Sequence, residues 1–190
     1  MIVSGTEDLR VVKTIGAIKA AFGDLICRKD YEKITVKELC DTARINKKTF
    51  YHYYETLDDL LAEMQRELSA GYLARVREFR LPEELDKVNR EFFLYSAEQG
   101  LAYEKITCHS AYRSIRDAMV AEVTDAGWRN SAQFAKLSED ERQLLLTFVN
   151  GTVLTAYRQW VESGKHRPLE DVIEMTNRIV LGGVNGVFGK

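Results

Sequence analysis

"ITVKELCDTARINKKTFYHYYETLDDLL", residues Ile34–Leu61, holds two short helical patterns split by a few residues. Its "TVKE" has the form of a capping box, with Thr35 at the N-cap and Glu38 at the third helical position, where side chains satisfy the orphan amides of a helix start. Val36, Leu39, Cys40 and Ala43 fall on one side of that helix. "ARIN" then supplies a turn and a new cap, Asn46. A further helix is predicted from Lys47 to about Tyr54, and Thr56 caps a long one after it. Phe50 and Tyr54 are four apart and share a face. With Ile45 and Leu57 they close a small core with the helices before them. The opposite face presents Lys47, Lys48, Tyr51 and His52, with Thr49 and Tyr53 at its edges. The aromatics Phe50, Tyr51, Tyr53 and Tyr54 cannot all point inward on one short helix.

An outward cluster of donors suits an anionic partner with base edges to read. Lysine reaches guanine O6, N7 or a phosphate, and Thr and Tyr hydroxyls donate to phosphate oxygens. The N-terminus of the helix at Thr35 adds free N–H groups and a positive dipole end. Two short helices joined by a tight turn, the second bearing the polar face, make a helix-turn-helix, whose second helix enters the major groove.

These residues resemble the DNA-binding region of the TetR/AcrR family of bacterial transcription regulators. The match rests on the capped Thr35–Val36 start, Ala43 before the turn, the polar cap Asn46, and "TFYHYY" followed by a Thr-capped helix with two leucines. It covers about Ile15 to Met64. The resemblance implies phosphate contacts from Thr35, Asn46, Tyr51 and Tyr53. It places Lys47, Lys48, Thr49 and His52 in the groove, and Ala17, Phe22, Leu39, Ala43, Phe50 and Tyr54 in the core of the small domain. Two positions depart from the family pattern. Arg44 stands where the turn usually has glycine, and Leu57 stands where a phosphate-binding lysine is common. The lost contact is expected either to weaken binding or to pass to Lys37 or Arg44.

Working outward, a helix from about Asp8 to Arg28 carries the stripe Ile15, Ile18, Phe22 and Leu25. The helix at Thr56 should reach about Phe79, and Pro82 should start the next, running to about Glu98. Gly100 punctuates, and one or two helices lie between Leu101 and Trp128. "SEDE", Ser138–Glu141, is a second capping box opening a helix to about Val161. Pro168 begins a last helix that ends near Leu181, before "GGVNGVFGK". The expectation is an all-α protein of about nine helices. Residues 1–56 form a three-helix, helix-turn-helix domain, and residues 57–190 form a helical ligand-binding and dimerisation domain.

In the second domain two features bear on function. The aromatic Phe92, Tyr95, Tyr103, His109, Tyr112 and Phe148 are candidates to line a pocket for a small effector, as the family implies; a plain hydrophobic core gives the same pattern. The helix from Ser138 is apolar on two sides. Leu146, Val149, Val153 and Trp160 mark one, and Leu144, Phe148, Gly151 and Thr155 the other. In the last helix Val172, Ile173, Thr176 and Val180 belong to a similar pair of faces. By position in the family these two helices form a homodimer interface, to which we assign Leu146, Val149, Val153, Trp160, Val172, Ile173, Thr176 and Val180; two ordinary buried helices are the competing reading.

Net charge is −2, so the whole molecule is not a polycation. Residues 1–56 hold ten Lys/Arg against eight Asp/Glu, and the remainder is net acidic. The cysteines Cys27, Cys40 and Cys108 are odd in number and widely spaced, which reads as buried thiols in a reducing cytosol. The histidines are too scattered for a metal site. No Gly-rich phosphate loop, GxSxG or HExxH occurs. A cytoplasmic, non-enzymatic protein without cofactor or membrane segment is therefore expected, and the resemblance implies a dimeric repressor of a palindromic double-stranded operator, released by a small molecule. The alternative is a helical protein-binding coactivator that has lost operator specificity.

Overall fold

The stripe predicted in the first helix is the seed of the first core. In the computed structural model, which describes residues 6–109, 112, 120, 124 and 127–189, α1 spans Thr6–Arg28. Ile18, Phe22 and Ile26 are wholly buried and Ala21 and Leu25 nearly so. Ala17 is exposed, one position off this stripe, so Ala21 does the packing the resemblance assigned to Ala17. A single 3₁₀ turn, Tyr31–Lys33, leads to α2, Val36–Ala43. Then come α3, Lys47–Tyr53, and α4, Leu57–Val76. Phe50, Leu39, Leu60 and Leu61 complete this core.

The remaining helices are α5, Leu85–Glu98, α6, Leu101–Cys108, α7, Glu139–Glu162, and α8, Leu169–Phe188. Eight α-helices and no strands occur among the described residues. The second helix expected before Trp128 falls mostly outside them. A second core lies between α5, α7 and α8, built on Phe93, Val149, Tyr157, Ile173 and Val180. α6 packs back on α1, and its Ile106 belongs to the first core. Among the described residues no helix is long and apolar enough to cross a membrane.

Three local expectations need correction. Pro82 does not start a helix. Residues 80–84 close a turn instead, with Glu84 N donating to Arg80 O at 2.8 Å and Arg80 N donating to the Glu84 carboxylate at 2.9 Å. α8 does not stop at Leu181 but runs through Gly182, Gly183 and Gly186. Glycine costs about 1 kcal/mol per helical position; burial of Val180 and Val184 beside them offsets that cost. Cys27 is exposed, not buried like Cys40.

Polar ties join distant segments. Arg90 of α5 makes a two-pronged ion pair with Glu170 of α8. Asn89 donates to Asn177 at 3.0 Å, and Asn177 donates to Asp86 O at 3.1 Å. Arg75 of α4 pairs with Glu98 of α5 and stacks on the Tyr95 ring, 4.9 Å from its centroid.

Candidate nucleic-acid interface and cavity

Each short helix of the first domain starts on its own cap. The Thr35 hydroxyl accepts from Glu38 N at 3.2 Å. The box is half-formed, because the Glu38 carboxylate turns to Lys29 at 2.7 Å. Asn46 Oδ1 accepts from Thr49 N at 2.8 Å and from the Thr49 hydroxyl at 3.0 Å. Thr56 and Asp59 form a full capping box.

Between α2 and α3 the chain reverses at Arg44, whose φ and ψ are 55° and 43°. This left-handed geometry costs a side-chain-bearing residue about 1–2 kcal/mol. We expect Arg44→Gly to raise stability in urea unfolding by about 1 kcal/mol. Arg44→Ala, which keeps the Cβ, should give no such gain.

α3 is sided as its spacing predicts. Phe50 is fully buried and Tyr54 nearly so; their rings lie 5.9 Å apart. Lys47, Lys48, Tyr51 and His52 are exposed, and Thr49 and Tyr53 half-buried. Thr35, Lys37, Arg44 and Asn46 are exposed on the same domain. Among the described residues no ion pair engages Lys37, Arg44, Lys47 or Lys48. Several nearby acids are already occupied: Glu38 by Lys29, Asp58 by the Tyr31 hydroxyl, and Asp59 by Thr56. Among the described residues these four cations are thus left without a carboxylate partner. Tyr51 is 55% exposed, yet its ring rests on Phe50 at 5.4 Å, which fixes its direction.

α4 is bound firmly to this domain. Lys19 of α1 contacts Glu63 at 2.6 Å and Glu67 at 2.5 Å, and the Tyr54 hydroxyl donates to Glu63 at 3.1 Å. Burial works to lower the Lys19 pKa, but its bonds to Glu63 and Glu67 outweigh that and raise it. Burial likewise works to raise the Glu63 pKa, and the bonds from Lys19 and Tyr54 reverse it. Burial, reinforced by the Glu63 charge, holds the Tyr54 hydroxyl protonated well above its ordinary range.

The far half of α4 walls a cavity of about 130 Å³ with α5, α6 and α7. Phe92, Tyr95 and Tyr103 line it, joined by Tyr72, Phe79, Trp128, Val149 and Val153. Among the described residues, none that lines it carries a charge. Three expected residues lie elsewhere. Tyr112 packs into the first core with its ring 5.5 Å from Tyr31. His109 is exposed just past α6. Phe148 is on the outer face of α7; a Cβ at Gly183 would lie 2.5 Å from its ring. Most polar groups of the lining are paired. Tyr72 donates to Val88 O at 3.1 Å, Tyr95 to Leu68 O at 2.9 Å, and Asn150 to Thr124 at 2.8 Å. Tyr103 and Ser96 share a bond of 2.9 Å. The Ser69 hydroxyl has no hydrogen-bond partner, nor has the buried amide of Gln65 one turn earlier.

The residues assigned to the dimer interface are corrected more broadly. Val149, Val153, Trp160, Ile173, Thr176 and Val180 are buried in the protomer's own second core, and Leu146 and Val172 pack against it. The spare face is the other one: Leu144, Phe148, Met175, Ile179 and Val187 are exposed.

Two capped short helices with an outward cationic second member, held on a third helix, have the arrangement of a helix-turn-helix, with a helical domain behind it. Residues 18–64 match the model for bacterial regulatory proteins of the tetR family. Over those residues the chain is similar to the DNA-binding segment of that family. It is 32% identical over 96 residues to the uncharacterized HTH-type transcriptional regulator YxbF of Bacillus subtilis; that match takes in 50% of this chain but 23% of the longer relative. The fold is shared with a TetR transcriptional regulator from Streptococcus agalactiae, at TM-score 0.66 and 22% identity over 92% of this chain and 97% of that one. It is also shared with FadR from Bacillus subtilis, solved in complex with stearoyl-CoA, at TM-score 0.64 and 17% identity over 86% and 94%.

Proposed function

We propose that this chain is a dimeric repressor that seats α3 of each copy in the major groove of a palindromic operator and is released by a small effector. The observation that carries this is the α3 face: Lys47, Lys48, Tyr51 and His52 point outward over a locked Phe50–Tyr54 base. Lys47, Lys48, Thr49 and His52 read bases. Thr35, Lys37, Arg44, Asn46, Tyr51 and Tyr53 hold phosphates. Residues 1–56 serve as the reading domain and 57–190 as the control domain.

The coupling runs through α4. Its first turns are clamped by Lys19, Tyr31 and Tyr54, while Ser69, Tyr72 and Val76 further along face the cavity. A ligand that prefers another placement of α4 moves the reading heads out of register with successive grooves. The FadR relative was solved with stearoyl-CoA. A long acyl chain is several times larger than benzene, which fits an engineered cavity of about 150 Å³, so in this conformation our cavity suits a smaller effector.

One observation favours the coactivator alternative: Leu57, where a phosphate-binding lysine is common in the family, packs against the first core. A mobility shift with DNA flanking the chain's own gene separates the two. We expect retention of that DNA, with log affinity falling linearly against log salt. Lys47→Ala with Tyr51→Ala should weaken it about a hundredfold or more, each contact being lost twice in a dimer. Unchanged binding by the double variant would count against the repressor, and recovery of protein without DNA would favour the coactivator.

A further inference from the structure

We propose that the cavity is specific for an uncharged, single-ring aromatic molecule with one hydroxyl group, and that Ser69 is the residue that selects the hydroxyl. This deepens the effector-controlled reading above and rests on it.

Size comes first. About 130 Å³ is close to the cavity of about 150 Å³ that holds benzene, so the part of a ligand seated in it has roughly six to eight non-hydrogen atoms. Charge comes next. Among the described residues the lining contains no Lys, Arg or His, and burying a carboxylate without a cation is strongly unfavourable. The ligand is therefore neutral. The walls argue for a ring: Tyr72 and Phe92 meet edge to face at 6.1 Å, and Tyr95 and Tyr103 at 6.4 Å, arrangements that a further ring joins well.

The hydroxyl is argued from Ser69. It lines the cavity, is 2% exposed, and its Oγ has no partner. Its neighbours Tyr72, Tyr95, Asn150 and Tyr103 are committed to other groups. A buried hydroxyl without a partner is unfavourable. A serine oxygen both donates and accepts, so it can bond a ligand hydroxyl in either sense. Leu68 and Ser69 also sit beyond the Glu63–Glu67 clamp on α4, so a ligand held there bears directly on the helix that carries the reading head.

The test uses the full chain and calorimetric titration with phenol, toluene and hexanoate. Phenol should bind, at least about a hundredfold tighter than hexanoate. In Ser69→Ala, phenol should weaken about threefold to tenfold while toluene changes less than twofold. Equal or tighter binding of hexanoate overturns the proposal. So does phenol binding that Ser69→Ala leaves unchanged, or no phenol binding at all. Should Ser69→Ala fail to fold, the phenol-to-hexanoate ratio of the unsubstituted chain decides alone. Operator binding is scored separately by mobility shift on the ligand-free chain, so loss of the repressor reading is distinguishable from loss of this one.

Discussion

Replacing Phe50 by alanine will destabilise the N-terminal domain by about 3–5 kcal/mol, enough to lower a urea midpoint sharply or to leave that domain unfolded, since whole domains have only about 5–15 kcal/mol to lose. Phe50 is fully buried in the first core, in ring contact with Tyr54 and Tyr51. Removing it takes the floor from beneath α3, a seven-residue helix too short to persist alone in water. The neighbour makes the contrast. Tyr51 is 55% exposed, so Tyr51→Ala should shift stability by no more than about 0.5 kcal/mol while weakening DNA binding. Adjacent positions thus separate folding from recognition: circular dichroism and a urea curve report on Phe50, and a mobility shift reports on Tyr51. A Phe50→Ala protein with an unchanged urea curve would mean that α3 is not held by this core.

That contrast was legible in the chain before any coordinates, because it is local. A cap and its amide are three residues apart, as Asn46 and Thr49 are, or Ser138 and Glu141. Phe50 and Tyr54 share a face by helical geometry alone. Arg44 was flagged only by the resemblance, as a turn position where glycine is usual; its left-handed φ of 55° is the structure's addition. What periodicity cannot give is the identity of the partner across the interface. α7 is apolar on two sides, and spacing treats them alike. Only the packed chain settles that Val149 and Val153 meet the wall of α5 and α8 while Leu144 and Phe148 stay outside. The same limit sent Tyr112 to the wrong core: its partner Tyr31 is distant in sequence. Asn89 and Asn177, 88 residues apart, gave no local signal. Neither did Ser69, whose importance lies in an absent partner. The run of glycines in α8 misled in the other direction, since intrinsic propensity was overridden by the burial of Val180 and Val184.

The exposed side of α7 and α8 carries the second large effect. Ile179→Arg should convert a dimer to monomers and with it abolish tight operator binding. Ile179 is 51% exposed and Met175 48%, on the same face as Gly182, Gly183 and Gly186. Phe148 of α7 lies over Gly183, so the outer faces of the two helices join in one apolar surface with little side-chain bulk along α8. In the proposed dimer a second copy of that surface meets it across a two-fold axis, with each residue used on both sides. An arginine at Ile179 would then place two unpaired cations in a dry interface. One such charge is unfavourable by about 3–5 kcal/mol, so the dimer constant should rise by at least about a hundredfold. Because the site is exposed in the protomer, the helical content of the variant should match that of the parent. Operator affinity should fall steeply, as two half-sites are no longer engaged by one linked body. Sedimentation velocity across a concentration series reads the first effect and a mobility shift the second. Should Ile179→Arg remain dimeric at the parent's concentration, the two-fold contact must lie on another face, and the spacing of the two α3 helices would have to be derived anew from that face.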